Sequence, residues 1–302
     1  MAANYLGSNA IHVANGYQAN PVIYLPGASC VIAGRTYSPC SSTSNTIQRR
    51  LLSLQDPVNG PALGNLFYYG THGTRTYNGM LLSIQHRRSN GLTVQANYTL
   101  GHCIEDPLSE PKLRLGAPNE RRYLDRGNCT QDRRHNFNMS TVYETPRFSN
   151  GTLRVLGTGW KVSSILRILS GDFMTVTPGT DRALQTGLQR ADLIQPNNVY
   201  GPGKTLDHYL NPGAFAQPAI GTFGNSGSLS IQGPGSIRLD MGLTRAFRIR
   251  ESQSLEFRAE SFNLPNHLNP LDPNSVLTSP NFGQVQSAAD PRIMQLALKY
   301  VF

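Results

Sequence analysis

Apolar residues recur at every second position in about eight stretches of this chain, and a period of two is the signature of a β-strand with one apolar face. The last stretch is the clearest. Between Pro291 and Phe302, Met294, Leu296, Leu298, Tyr300 and Phe302 share one parity, whereas Ile293, Gln295, Ala297, Lys299 and Val301 form a mixed set. The same alternation predicts strands over 77–86 (Met80, Leu82, Ile84), 91–100 (Leu92, Val94, Ala96, Tyr98, Leu100) and 135–145 (Phe137, Met139, Tyr143). Further strands are predicted over 160–171 (Trp160, Val162, Leu166, Ile168), 236–246 (Ile237, Leu239, Met241, Leu243) and 254–263 (Leu255, Phe257, Ala259), and residues 1–8 read as a short strand end. Asn90–Gly91 marks a tight hairpin turn, and Ser149–Asn150–Gly151 a second turn.

The connections then alternate in length. Residues up to 76, 101–134, 172–235 and 264–290 are long and rich in Gly, Pro, Ser and Asn, whereas 87–90, 146–159 and 247–253 are short. A β-sandwich gives no reason for this rhythm. A transmembrane barrel does, because its turns on one side of the membrane are short and its loops on the other are long. The closing strand fits as well, with an apolar outer row and terminal aromatics at the interface. No run of about 18 apolar residues is present to serve as a membrane helix, which leaves the barrel as the way to cross lipid. The expected fold is therefore all-β, an antiparallel transmembrane β-barrel segment occupying residues 1–302. On the opposite parity, Arg238, Asp240, Glu256, Arg258 and Glu260 are predicted to face a watery lumen, with Asp240 opposite Arg258 and Arg238 opposite Glu260. A solute-binding charge cluster is the functional alternative for these five.

Composition sharpens this picture in three places. With 15% charged residues, 29 glycines and 20 prolines in 302 residues, the chain is too rich in turn formers for a helical bundle. The net charge of +9 is carried by scattered pairs (Arg49–Arg50, Arg87–Arg88, Arg121–Arg122, Arg133–Arg134). No nucleic-acid motif accompanies them, so anionic lipid headgroups are the expected partner rather than nucleic acid. The four cysteines fall as Cys30 with Cys40 and Cys103 with Cys129, spacings that match no zinc motif and are read as two disulfides of an oxidising compartment.

His102 beside Cys103 lacks a second pair of metal ligands. Gly201–Pro202–Gly203–Lys204–Thr205 resembles the end of a phosphate-binding loop, but Asn198 stands where its first Gly belongs and Asn211–Pro212 leaves no room for the helix. Neither a Gly-x-Ser-x-Gly elbow nor a His-Glu-x-x-His pair occurs, so no enzyme activity, metal or cofactor is expected. Met1–Gly7 contains no basic or apolar export-signal region, and the chain is expected to be the later part of a longer protein.

Four stretches carry a resemblance to a known family. Gly221–Thr222–Phe223–Gly224–Asn225 with Gly233–Pro234–Gly235 and Asp240–Met241–Gly242–Leu243 is one, and Glu256–Phe257–Arg258–Ala259–Glu260–Ser261–Phe262–Asn263 is another. Asn211–Pro212–Gly213–Ala214–Phe215 and the ending from Asp290 to Phe302 complete the set. Together they resemble the C-terminal barrel of Oar-like TonB-dependent outer-membrane receptors.

The resemblance implies an outer-membrane location in a Gram-negative-type bacterium and a barrel of about 22 strands around a plug. It also implies energy-coupled uptake driven by the TonB complex through an N-terminal part absent from this sequence. Contact with the barrel-assembly machinery is implied through the closing strand. The plug, coupling segment and carboxypeptidase-regulatory-like domain are not in these residues, and Pro265 stands where the family has a bulkier residue. Two other readings are a secreted β-sandwich or adhesin-like module and a complete eight-stranded barrel closed by Asn4–Ser8 against 291–302.

Leu296→Arg, in the middle of the apolar row of the closing strand, is expected to cost about 2–4 kcal/mol and block membrane insertion, whereas Gln295→Arg is tolerated. Heat-modifiable gel mobility of the two variants in membrane fractions measures the difference, and equal tolerance would refute the assignment of faces.

Overall fold

The computed structural model describes residues 1–106, 125–185, 187 and 189–302, so that the Arg121–Arg122 pair lies outside the described residues. Eight long strands run antiparallel in one sheet, each beside its neighbour in sequence: β1 Ala2–Gln18, β2 Phe67–Ser89, β3 Leu92–Glu105, β4 His135–Glu144, β5 Trp160–Leu169, β6 Ser236–Arg250, β7 Gln253–Phe262 and β8 Ile293–Val301. A short strand, Gly127–Asn128, extends the sheet beside the end of β3. The other sheets among the described residues are two-stranded pieces within the connections. Among the described residues no second large sheet packs face to face on the long one, so the sandwich is not the arrangement seen. β1 and β8 are its two edges and do not pair with each other, and β8 is exposed on both faces. The complete eight-stranded barrel is therefore not the arrangement seen.

Residues opposite each other in an antiparallel pair point to the same side, so the register extends each strand's alternation across the whole sheet. Leu82, Tyr98, Phe137, Ile168 and Ile237 form one continuous row, and Ile84, Ala96, Met139, Leu166 and Leu239 form the next. Nearer the short connections, Tyr143, Val162, Leu243, Ala259 and Leu296 align. One face is thus a belt of apolar side chains standing open, with Leu296 71% and Leu298 69% exposed. Among the described residues no helix is long and apolar enough to cross a membrane.

Two strands run further than their hydrophobic pattern. β1 continues to Gln18 and β2 begins at Phe67, and their outer halves pair as Asn9↔Thr76 through Gln18↔Phe67, with register shifts around Val13. This segment, rich in Gly, His and Thr, lies beyond the apolar belt. Both of its faces can be hydrated there, so no alternation is required. The β2–β3 turn is also tighter than the sequence suggests: β2 extends to Ser89, and Asn90 (φ 51°) with Gly91 (φ 82°) makes the whole turn. Between β4 and β5 the expected turn is a short helix, Gly151–Gly157, capped by Asn150, whose Oδ1 accepts the Thr152 N–H.

The buried core sits in the long connections. Met174, Val176, Ala191, Tyr209, Leu210, Ala214, Phe215, Ile231 and Phe282 pack together, drawing on the β5–β6 and β7–β8 connections. Phe215 meets Phe282 edge-on at 5.8 Å, and Tyr200 meets Tyr209 likewise. Backbone bonds join these two connections: Thr177 N–H to Ser275 O, Leu277 N–H to Thr177 O, and Val285 N–H to Leu206 O.

A Cβ on Gly91 would lie 2.3 Å from the Glu144 carbonyl oxygen, and its φ is left-handed. Gly91→Val is expected to lose about 1–2 kcal/mol from backbone strain alone, more once Glu144 is displaced. Urea unfolding of the refolded barrel in vesicles, compared with wild type, reads this loss.

Candidate functional site: the polar wall and the layer of connections

The face opposite the apolar belt carries the charges singled out from the sequence. Arg238 and Asp240 on β6 share it with Glu256, Arg258 and Glu260 on β7, because Gly242 pairs with Glu260 and Thr244 with Arg258. This register corrects the expected one: Asp240 does not stand opposite Arg258, nor Arg238 opposite Glu260. The two-residue turn at Glu251–Ser252 fixes the slip. Each pair instead closes along its own strand, Arg238 Nε to Asp240 at 2.9 Å and Arg258 to Glu260. Asp240 Oδ1 also accepts the Asn263 N–H at 2.9 Å.

Three further cations and one carboxylate join the wall. Lys299 is opposite Glu256, Lys161 opposite Glu144, and Arg167 is set between Asn138 and Arg238. Arg167 donates to Asn138 Oδ1 at 3.3 Å. Opposite charges directly across a pair contribute roughly 0.2–1 kcal/mol, and Arg167 against Arg238 opposes that. Arg167 escapes a reading of the sequence because Ile165 and Leu169 share its parity and blur the pattern of β5. Chemically the wall is hydrated and zwitterionic, and suited to contact polar solutes.

At the end of the sheet where the long connections emerge, a second layer is assembled around buried charge. Arg49 is fully buried and donates to Asn45 Oδ1, Ile23 O, Ser42 O and, across to the β5–β6 connection, Leu184 O at 2.7 Å. Burial pulls its pKa down, while Asp181 favours its charge. Arg190 and Asp125, both buried, form an ion pair at 3.1 Å that ties the β3–β4 connection to the β5–β6 one. Arg133 bridges the same two through Ser170 O at 2.6 Å and Asp172. Burial pushes Tyr209 up to about 12, with Tyr200 and Asp272 adding to it. Sequence reasoning missed Arg49, Arg190 and Asp125, since nothing in a loop-like stretch marks which arginine is buried. Between the β1–β2 and β5–β6 connections lies a cleft of about 520 Å³, lined by Tyr24, Leu25, Thr43, Asp181, Arg182 and Ile220 among others.

The cysteines divide. Cys103 and Cys129 are joined at a Cα separation of 5.3 Å. Beside them Asp132 accepts the Cys103 N–H at 3.0 Å and meets His102 Nδ1 at 3.1 Å, which gives His102 a carboxylate partner. Cys30 and Cys40, read from the sequence as a second disulfide, are free thiols. Cys30 pairs with Tyr37 in a small hairpin, while Cys40 is buried and its N–H donates to Gly27 O. Burial, with the neighbouring Cys30 thiol, pushes Cys40 up to about 11. A thiol so far from ionisation exchanges slowly, because the thiolate is the nucleophile. Lys204, of the phosphate-loop-like run, lies 3.7 Å over the Tyr200 ring. Among the described residues no group of three or more His, Cys, Asp or Glu side chains is arranged to hold a metal ion.

The model of the outer membrane beta barrel domain family matches residues 1–295. The chain belongs to that family. No curated protein matches it. The protein is thus an outer-membrane β-barrel protein; barrels of this class hold an apolar belt in lipid and a polar wall toward the lumen, with their long connections outward and their short ones toward the periplasm. Met294, Leu296, Leu298 and Tyr300 share the apolar parity of β8, and the Phe302 ring is stacked near Tyr300 at 6.1 Å. Placement in the outer membrane accords with delivery by the barrel-assembly machinery.

Breaking a buried ion pair by removing one member costs about 3–5 kcal/mol. Asp125→Leu is therefore expected to loosen the layer of long connections while leaving the strands intact. Limited proteolysis on whole cells should cleave the variant within 170–235, with the heat-modifiable mobility of the barrel unchanged.

Proposed function

We propose that this chain is the C-terminal arc of a TonB-dependent-type receptor for energy-coupled uptake, one part of a barrel of about 22 strands. The observation that carries the proposal is the packed outer layer. Connections of a purely structural barrel need no buried core, whereas a layer with its own apolar cluster, buried arginines and a cleft holds a fixed surface toward the outside. The resemblance of residues 211–263 and 290–302 to Oar-like receptors supports the same reading, and so does the sheet with both edges open to further strands. In this reading the outer cleft receives the solute and the charged wall passes it inward. Energy comes from the TonB complex acting on a plug, and the chain itself has no catalytic role.

Solutes removed from the medium by cells carrying the intact gene should be spared when the gene is deleted, when the TonB complex is deleted, or when the proton gradient is collapsed. Ile220→Glu, on the exposed wall of the cleft, should reduce that removal at unchanged surface level. Removal that persists without the proton gradient would make the barrel a passive pore.

A further inference from the structure

The β4–β5 connection stands at the periplasmic end, yet it carries a helix where tight turns suffice for β2–β3 and β6–β7. That helix, Gly151–Gly157, leaves Leu153, Val155 and Leu156 at 51%, 63% and 65% exposure. Its position is fixed from the apolar side of the sheet. Trp160 Nε1 donates to Leu156 O at 2.7 Å, Arg245 Nη1 donates to the same oxygen at 2.9 Å, and Arg245 Nη2 donates to Val155 O. Trp160, Arg245 and Phe257 lie opposite one another on the lipid-facing parity. The last turn of the helix is therefore folded outward against the lipid face, and not under the lumen.

The surroundings match a membrane interface. The Trp160 ring stands edge-on to Phe247 and Phe257 at 6.4 and 6.0 Å, and the Arg245 guanidinium lies over Phe247 at 4.5 Å. Aromatic rings with a polar handle concentrate where hydrocarbon meets headgroups. Arg147 and Arg154 flank the helix, Arg248 and Arg250 lie exposed at the neighbouring hairpin tip with Glu251, and no acidic residue occupies the first turn of the helix.

We propose that Gly151–Gly157 is an interfacial anchor seated in the periplasmic leaflet of the outer membrane. Leu153, Val155 and Leu156 enter the acyl region, and Arg147 and Arg154 meet the phosphodiester headgroups of glycerophospholipids. Two observations select a lipid surface as the occupant: the exposed apolar side chains belong to a helix tied by Trp160 and Arg245 to the lipid-facing parity of the sheet, and the local charge is cationic where headgroups are anionic. The anchor follows from the barrel's place in the membrane and is independent of whether the protein transports anything.

The test places spin labels in the full chain, in bilayers of phosphatidylethanolamine and phosphatidylglycerol, after Cys30→Ser and Cys40→Ser. Labels at Leu153→Cys and Leu156→Cys should collide preferentially with oxygen, as one at Leu298→Cys does, whereas a label at Ser149→Cys should collide with an aqueous nickel chelate. Nickel-dominated collisions at 153 and 156 would place the helix in water and overturn the proposal. Shielding from both reagents would mean that protein covers the helix, and would overturn it too. Trp160 is the single tryptophan and reports without labels. In the double variant Leu153→Ser, Leu156→Ser its emission should shift to the red and its quenching by lipids brominated near the headgroup should fall, and unchanged emission and quenching would count against the anchor.

Discussion

Hydrocarbon offers a backbone N–H or C=O no partner, and each one left open costs several kcal/mol. The antiparallel ladder from β1 to β8 answers this constraint, and the other features of the molecule follow from it. Because every strand must bond to both neighbours, the chain advances one strand at a time in sequence order. Because paired residues share a side, alternation in any one strand becomes a belt across all of them. The edges at β1 and β8 carry the same obligation.

The constraint also inverts the usual location of a core. A strand that faces lipid on one side and water on the other has no interior to fill, so the sheet retains large exposed side chains such as Leu296 and Leu298. Burial is concentrated instead in connections rich in Gly, Pro and Asn, where Met174, Phe215 and Phe282 pack. Those connections carry little regular structure, so their backbone groups must find partners individually. Buried arginines meet that need: Arg49 alone occupies three main-chain carbonyls. The guanidinium suits the task because it presents five donors in a plane.

What the sequence revealed and what it hid divides along the same line. In the lipid belt each side chain has one acceptable identity class, so Met80, Leu82 and Ile84, or Leu239, Met241 and Leu243, announce their strands with a strict period. Beyond the belt that requirement lapses. The outer halves of β1 and β2, from Asn9 and to Thr76, are regular strands with no periodic signal, and read as loop. The register of β6 against β7 was hidden for another reason: two hairpins whose registers differ by four residues place the same five charges on the same wall, and only the Glu251–Ser252 turn distinguishes them. Pairing across long connections is least legible. Arg190 and Asp125 are 65 residues apart in sequence, and neither differs in kind from the exposed arginines around it. The cysteines illustrate the same limit, since similar loop contexts gave one bonded pair and one pair of thiols.

A packed outer layer has a consequence for recognition. A ligand that must order flexible loops forfeits part of its binding free energy to their lost conformational freedom. Here the four long connections are already tied together through the β5–β6 one, by Arg49 to Leu184, by Arg190 to Asp125, and by Thr177 to Ser275 and Leu277. The cleft wall containing Asp181 and Arg182 is thus held from two sides before anything binds. Such a surface favours a ligand of one shape over many, and it couples any movement of one connection to the others. The wall beneath it behaves differently. Its charges are satisfied along their own strands, Arg238 by Asp240 and Arg258 by Glu260, so none is committed to a single cross-lumen partner. In the proposed receptor, selectivity would belong to the layer, and the wall would supply a polar path of mixed charge.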